Sequence, residues 1–508
     1  MMKTDARKLM MVWPFVFLLQ SLMILPVANA QATPLTLKPN VLVISIDDLN
    51  DWVGCLGGHR QVQTPCIDGL AARGIVFTNA HCQSPLCNPS RTSVMTGLRP
   101  TSTGIYGLAP WFRQVEGLEQ IVTLPQHFKQ HGYRTFTTGK TYHDAYPPAP
   151  SRGDGSEFDE WGYHGSGGNP KPEKKIINMQ GGHPLMDWGA FPQRDQQQDD
   201  YVVADWAISK LNQLSQEENT QPFMLFCGFR RPHVPCFAPQ KWFDLYPEDS
   251  LQMPQMMDGD RQDTPFFSWY LHWELPEPRL SWLKEAGEDR SLVRAYLAST
   301  SFVDAMVGRV LAGLAASGLA ENTVVVLWSD HGYHLGEKEI SGKNSLWERS
   351  TRVPLIVGGP GIATGFRCSE PVELLDLYPT LADICGLPIP DHLEGHSLRP
   401  QIKNPNQSRP WPAITSHNQG NHAVRDNRWR LIQYADGSQE FYDMIADPNE
   451  WTNLISDTRY QGEVARMAKH FPKIDLPPAP QSKHRVLTWD GETAVWEGKP
   501  IEPSQWQR

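Results

Sequence analysis

Five short runs rich in β-branched or apolar residues, the one at 134–138 weaker than the rest and each closed by charged or glycine-rich residues, constrain this chain more than any other feature. Residues 41–46 lead into Asp47-Asp48, and residues 134–138 into Gly139-Lys140. Residues 223–228 precede Arg230-Arg231-Pro232-His233, residues 323–328 precede Ser329-Asp330-His331, and residues 354–357 precede Gly358-Gly359-Pro360. Short, continuous, β-branched runs describe strands covered on both faces. Helical patterns separate them. Thr64-Pro65 reads as a cap with a first-turn proline, placing Ile67, Leu70 and Ala71 on one face. Val303, Met306, Val307, Val310, Leu311 and Leu314 recur at helical spacing before a stop at Gly318. Strands alternating with helices specify an α/β fold with a mostly parallel central sheet flanked by helices. Ligands of such sheets gather at the carboxyl ends of the strands, where all of these charged residues fall.

With 508 residues the chain exceeds one ordinary core. Residues 1–30 read as a signal peptide: Lys3, Arg7 and Lys8 form a basic start, an apolar stretch spans 10–27, and Ala28-Asn29-Ala30 fits a cleavage site. No later run has the ~20 uninterrupted apolar residues of a spanning helix. These features predict a secreted or periplasmic protein with no membrane attachment after cleavage. Residues 31–405 form the main domain. A Pro/Asn/Gln/Ser-rich boundary at 400–412 precedes a smaller C-terminal α+β subdomain, 406–508. Alternation at 429–434 and the hairpin signal Asp436-Gly437 predict an antiparallel sheet there. Residues 144–200 and 240–290, rich in Gly, Pro, Asp, Gln and Trp, read as surface insertions or a lid. The formal net charge of -10 argues against a nucleic-acid partner. There are eight cysteines; with Cys87 assigned to chemistry the remaining seven cannot all pair, Cys368 and Cys385 are candidates for a bridge, and Cys227 reads as a buried thiol.

Asp47, Asp48 and Asp330 bring three carboxylates from two strand ends, a hard-oxygen set suited to calcium or magnesium, to which His331 adds a nitrogen. Calcium is favoured because it tolerates irregular geometry and is abundant outside cells. Cys87-Asn88-Pro89-Ser90-Arg91, continued by Met95-Thr96-Gly97, reads as a helix start with Asn88 as cap and Pro89 as first residue. Cys87 then sits by a helix N-terminus, where anions are favoured, and Arg91 adds a permanent planar charge. Lys140, His143, His233 and Lys343 follow the same strand ends. Lysines stabilise charge developing on a transferred group, and histidines near neutrality move protons.

The pentad at 87–91 resembles the maturation signature of the type I sulfatases. In that family the cysteine is oxidised to formylglycine, and a hydroxyl of the hydrated aldehyde is the nucleophile. Asp47-Asp48, the pentad, Gly139-Lys140-Thr141-Tyr142-His143, Arg231-Pro232-His233, Ser329-Asp330-His331-Gly332, Leu335-Gly336-Glu337 and Lys343 resemble the iduronate 2-sulfatases in order and approximate spacing. Glu440-Phe441-Tyr442-Asp443 and the stretch from Asp447-Pro448-Asn449 to Asn453-Leu454 also look like that branch. Many sulfatases carry Asn where His331 stands, which favours the iduronate type. The resemblance implies an alkaline-phosphatase-like fold and a sulfatase catalytic domain over 31–405. It implies one calcium held by Asp47, Asp48, modified Cys87, Asp330 and His331. It implies catalysis by Cys87, Arg91, Lys140, His143, His233 and Lys343 on a sulfated mono- or oligosaccharide from glycosaminoglycan or algal polysaccharide. A formylglycine-generating or anaerobic maturation enzyme would be a partner. Residues 144–200 and 240–290 match no family motif, so the sugar stays open; His417, Asn421 and His422 are candidate substrate contacts. Two alternatives remain: a phosphoester or phosphonate hydrolase of the same superfamily, for which the chain offers no second Asp/His metal cluster, and a non-catalytic polysaccharide-binding relative.

Overall fold

The structure is a computed structural model that describes residues 38–143, 146–148, 155–164, 170–179, 182–219 and 221–502. The stretch read as a signal peptide lies outside the described residues. Among those described, eight strands make the central sheet: β1 (Asn40–Ile46), β2 (Gly74–Phe77), β3 (Arg134–Gly139), β4 (Glu160–Trp161), β5 (Phe223–Phe229), β6 (Thr323–Ser329), β7 (Leu355–Gly358) and β8 (Phe366–Cys368). Their order is β8-β2-β7-β6-β1-β5-β3-β4. Only β7 is antiparallel to its neighbours; the other pairings are parallel.

β1 runs through the middle of the sheet, and its side chains alternate between two cores. Leu42, Ile44 and Ile46 pack on one face with Ile67 of α1 (Pro65–Ala72), Leu211 of α4 (Asp199–Gln216) and Val303 and Val310 of α5 (Asp289–Ala316). Val41 and Val43 pack on the other face with Val94 and Met95 of α2 (Cys87–Thr96), Phe128 of α3 (Leu124–Gln130) and Leu381 of α6 (Leu377–Ile384). Each such fully buried aliphatic side chain contributes about 1.5–3 kcal/mol, which makes the centre of the sheet a rigid base for residues at its ends. Among the described residues α5 alone is long and apolar enough to cross a membrane, and it is buried along most of its length as the core helix of this face.

The C-terminal sheet is antiparallel, in the order β9 (Ala413–Ser416), β10 (His422–Arg425), β11 (Trp429–Gln433) and β12 (Gln439–Asp443). The turn between the last two strands closes at Gly437, with φ of 84°.

Several expectations need correction. Residues 240–290, expected as a surface insertion or a lid, are packed into the body of the structure. Phe267 and Leu271 pack with Trp347, Ile432, Tyr434 and Tyr442, so this stretch is wedged between the main domain and the C-terminal sheet. Its Arg261 guanidinium lies 3.2 Å from the Trp269 ring centre and 4.7 Å from that of Trp347. Part of the other insertion is also stitched down: residues 188–190 pair in parallel with 236–238. Cys368 and Cys385 form no bridge; all eight cysteines are free thiols, Cys368 ending the edge strand β8 and Cys385 closing α6. Helix α2 starts at Cys87 itself, capped by the Leu86 backbone. Asn88 is inside the helix because its amide donates instead to the carbonyls of Gly107 and Pro110, both at 3.1 Å.

The ends of β3 and β5 meet at Gly139 and Gly228, which are register partners. A Cβ on Gly228 would stand 2.2 Å from the Lys140 carbonyl oxygen. Gly228→Ala is therefore expected to destabilise the fold by about 1–3 kcal/mol, read as a lowered Tm. Gly69→Ala in α1, whose Cβ would meet only a side-chain atom at 3.8 Å, is expected to leave Tm unchanged or raise it.

Candidate active site

Parallel pairing of β1 with β6 matches Ile46 to Ser329, so Asp47 and Asp330 leave the sheet side by side. Asp48 follows with φ of 61°, a left-handed conformation unusual for a side-chain-bearing residue at such a turn. Its N–H donates to Asp330 Oδ1 at 3.1 Å, as does that of His331. The Tyr296 hydroxyl donates to the Asp48 carbonyl at 2.7 Å, and Ser329 Oγ accepts from Leu49 N at 3.0 Å. All three carboxylates are fully buried.

Cations balance them. Arg91 Nε donates to Asp330 Oδ2 at 2.8 Å and its Nη2 to Asp47 Oδ1 at 3.4 Å, while Nη1 reaches the carbonyls of Lys140 and Thr141. The guanidinium thus orients two carboxylates and a loop. Lys140 Nζ is hydrogen-bonded to Asp47 Oδ2. Lys343 Nζ donates to Asp48 Oδ1 at 2.6 Å. Both ammonium groups face Cys87 Sγ, Lys343 at 3.2 Å and Lys140 at 3.8 Å. Burial and the Asp47 charge raise the Cys87 pKa, but Lys140 and Lys343 outweigh them and hold the thiol below its ordinary value. Asp47 is likewise held well below the carboxylate range: burial opposes ionisation, and Lys140, His233, Arg91 and Lys343 overcome it. Burial pushes Asp48 up to about 7 despite Lys343 and His331.

The two histidines that meet the cluster are oriented by backbone carbonyls. His331 Nδ1 donates to Gly332 O at 3.0 Å, aiming Nε2 at Cys87 Sγ, 3.2 Å away. His233 Nδ1 donates to Val234 O at 2.6 Å, and its Nε2 lies 4.0 Å from Asp47 Oδ2. Burial, with Lys140 and Lys343 against Asp47, keeps His233 well below its ordinary pKa, so it is neutral at pH 7.

Ligand atoms of Asp47, Cys87, Asp330 and His331 all lie within 4.8 Å of one another, and those of Asp47, Asp48, Cys87 and His233 do likewise. Asp48 Oδ2 is buried with no hydrogen-bond partner, which suits a carboxylate oxygen that would ligate a cation. Three hard carboxylates with one oriented imidazole fit a divalent ion of the calcium or magnesium type.

Of the residues singled out in the sequence, Asp47, Asp48, Cys87, Arg91, Lys140, His233, Asp330, His331 and Lys343 converge. His143 lies on the loop after β3, its ring 6.2 Å from that of Tyr146. His417 borders the site through Asn344, whose amide donates to its Nε2 at 3.3 Å. Asn421 and His422 are engaged structurally instead: Asn421 Oδ1 accepts from Ala435 N at 3.1 Å, and His422 bonds Ser416 at 2.9 Å and Asp475 at 3.2 Å. Tyr296, Asn344, Glu277 and Arg485 were not signalled by any motif.

The sulfatase family profile matches residues 39–387. The chain belongs to the sulfatase family. A second profile, the C-terminal region of N-sulphoglucosamine sulphohydrolase, matches residues 336–475. A sulfatase of Formosa agariphila is 40% identical over 90% of this chain and 88% of its own length. Choline-sulfatase of Rhizobium meliloti is 30% identical over 83% of each, and mouse iduronate 2-sulfatase 29% identical over 97% of this chain and 90% of its own. Among solved structures, a 2-O GAG sulfatase superposes with a TM-score of 0.62 at 25% identity, covering 85% of this chain and 90% of that one. A phosphonate monoester hydrolase from Silicibacter pomeroyi gives a TM-score of 0.70 at 22% identity, covering 85% and 94%, a likeness of fold. This sulfatase is a sulfuric ester hydrolase with the alkaline-phosphatase-like architecture expected from its sequence.

Removing Arg91 leaves Asp47 and Asp330 each short of a buried cation. Arg91→Met is expected to cost about 3–5 kcal/mol of stability, measured by urea denaturation, and Arg91→Lys less, because the charge is kept while the planar fork is lost.

Proposed function

We propose that this sulfatase is exported and hydrolyses sulfate esters of sulfated carbohydrate, using formylglycine made from Cys87 and one bound calcium. The observation that carries the reading is the convergence on Cys87 Sγ of two lysine ammonium groups, with His331 Nε2 and three buried carboxylates beside them. Sγ marks the position of the reacting oxygen. Formylglycine there supplies a hydrated aldehyde, whose hydroxyl is the nucleophile towards sulfur. Asp47, Asp48, Asp330, His331 and residue 87 would hold the calcium, which would supply positive charge to the sulfate oxygens.

The rest is the work of this chain. Lys140 and Lys343, both buried, hold negative charge on the non-bridging oxygens. Asp47 and Asp48 anchor those lysines, and Arg91 holds Asp47 and Asp330 in place. His233 is neutral with Nε2 turned to the cluster, so Nε2 takes the proton of the attacking hydroxyl, and either the imidazolium so formed or the Lys343 ammonium gives a proton to the ester oxygen as it leaves. His143, on the loop that carries Lys140, is assigned to the breakdown of the sulfated adduct. Support for a carbohydrate substrate comes from mouse iduronate 2-sulfatase and the 2-O GAG sulfatase, both similar over most of the chain. Export rests on the basic-apolar-small pattern of residues 1–30; N-terminal sequencing of exported protein should begin at Gln31.

The deciding experiment measures free sulfate released from heparan, dermatan, chondroitin, ulvan and carrageenan fragments by matured wild type and by Cys87→Ser. Release from one class by wild type alone is expected. Undiminished release by Cys87→Ser contradicts the nucleophile. Dialysis against a chelator should lower turnover at least about 10-fold, with calcium restoring it better than magnesium; turnover indifferent to chelation contradicts the metal assignment.

A further inference from the structure

One ion pair outside the cluster brackets the lysine nearest the nucleophile. Arg485, from the C-terminal segment, donates Nη1 to Asn344 Oδ1 at 2.5 Å and Nη2 to Glu277 Oε1 at 2.9 Å. Glu277, from the wedge between the domains, lies against Gly342: a Cβ there, where φ is 97°, would meet Glu277 Cγ at 2.6 Å. The pair therefore touches both residues that flank Lys343, whose Nζ stands 3.2 Å from Cys87 Sγ.

Two features set this pair apart from a structural salt bridge. Glu277 is buried, at 4% exposure, yet its Oε2 has no hydrogen-bond partner. A guanidinium has five N–H donors, and Arg485 commits one to Asn344 and one to Glu277. An open carboxylate oxygen thus stands beside open guanidinium donors. The Arg485 side chain is partly exposed, while that of Glu277 is buried.

The backbone is built to hold Arg485 there. His484 and Arg485 have φ of 65° and 73°, conformations rare for non-glycine residues in sequence. Asn418, with φ of 63°, clasps the segment by donating to Arg485 O at 3.3 Å and accepting from Leu487 N at 3.1 Å. The His484 carbonyl accepts from Leu108 N at 3.2 Å. Residues 107–110 are in turn the loop that holds Asn88, next to the nucleophile.

We propose that Glu277 and Arg485 bind the hydroxyl-bearing ring of the substrate alcohol beside Lys343. A ring hydroxyl donates to Glu277 Oε2, and a neighbouring ring oxygen accepts from Arg485. This rests on the carbohydrate reading above and sharpens it against one alternative. The alcohol part of a choline ester has neither a hydroxyl for Glu277 nor an acceptor for Arg485, and the Glu277 charge is already matched by Arg485.

The test compares wild type with Glu277→Gln on two esters: the sulfated oligosaccharide fragments of the panel above and 4-methylumbelliferyl sulfate, which has no hydroxyl. The ratio of kcat/KM for the fragment to that for the aryl ester is expected to fall about 10-fold or more, chiefly through KM. Parallel loss on both esters overturns the proposal and leaves the pair as a support for the Lys343 loop; an unchanged ratio overturns it too. Arg485→Lys reads the same ratio should Glu277→Gln fail to fold. Wild type that prefers choline sulfate to every fragment also overturns it, while sulfate release from the aryl ester, absent in Cys87→Ser, keeps the sulfatase reading separate.

Discussion

Everything in this molecule is arranged around the repulsion among three carboxylates, Asp47, Asp48 and Asp330, buried together at the ends of two adjacent strands. Buried charges a few ångströms apart repel strongly, and burial alone would drive them neutral. Arg91, Lys140 and Lys343 each reach at least one of them. A divalent ion at the unpartnered Asp48 oxygen would complete the balance. The cations that settle the carboxylates also face residue 87, so the same charges that make the site stable make it reactive. Mutation of any one is felt through the others, and effects on activity here will not be additive.

The fold supplies the precision such a cluster needs. Side chains of β1 are locked into two cores, so Asp47 starts from a fixed point. The in-register partner β6 delivers Asp330 beside it, and β5 and β3 deliver His233 and Lys140 from the opposite side of β1. Helix α2 presents Cys87 in its first turn, with Arg91 one turn along the same helix. The C-terminal part is not an appendage. Through Asn418, Arg485 and the 240–290 wedge it meets the loop of Lys343, and its chain is pinned to the loop that holds Asn88.

Much of this was legible in the sequence, for a physical reason. Strands covered on both faces are mostly apolar, so the abrupt change to Asp47-Asp48, His233 and Asp330-His331 marks strand ends, while the threonine-rich β3 before Lys140 gives a weaker signal. Parallel sheets place those ends together. The start of α2 was misread because Asn88 looks like a cap until the carbonyls of Gly107 and Pro110 are seen to claim its amide. Residues 240–290 looked like a lid because a wedge between two units has aromatic residues without helical or strand periodicity. Glu277 and Arg485, 208 positions apart, have no shared local pattern; their meeting is a product of tertiary packing alone. Cys368 and Cys385 show the converse, a plausible sequence pair that the fold leaves apart as free thiols.

The central claim is that residue 87 acts as an aldehyde within this charged cluster. It is tested most directly by measuring turnover of a sulfate ester across preparations matured to different extents, against the fraction of the residue-87 peptide carrying the aldehyde by mass spectrometry. The account predicts a straight line through the origin. Turnover that persists in protein whose Cys87 is entirely a thiol would contradict it.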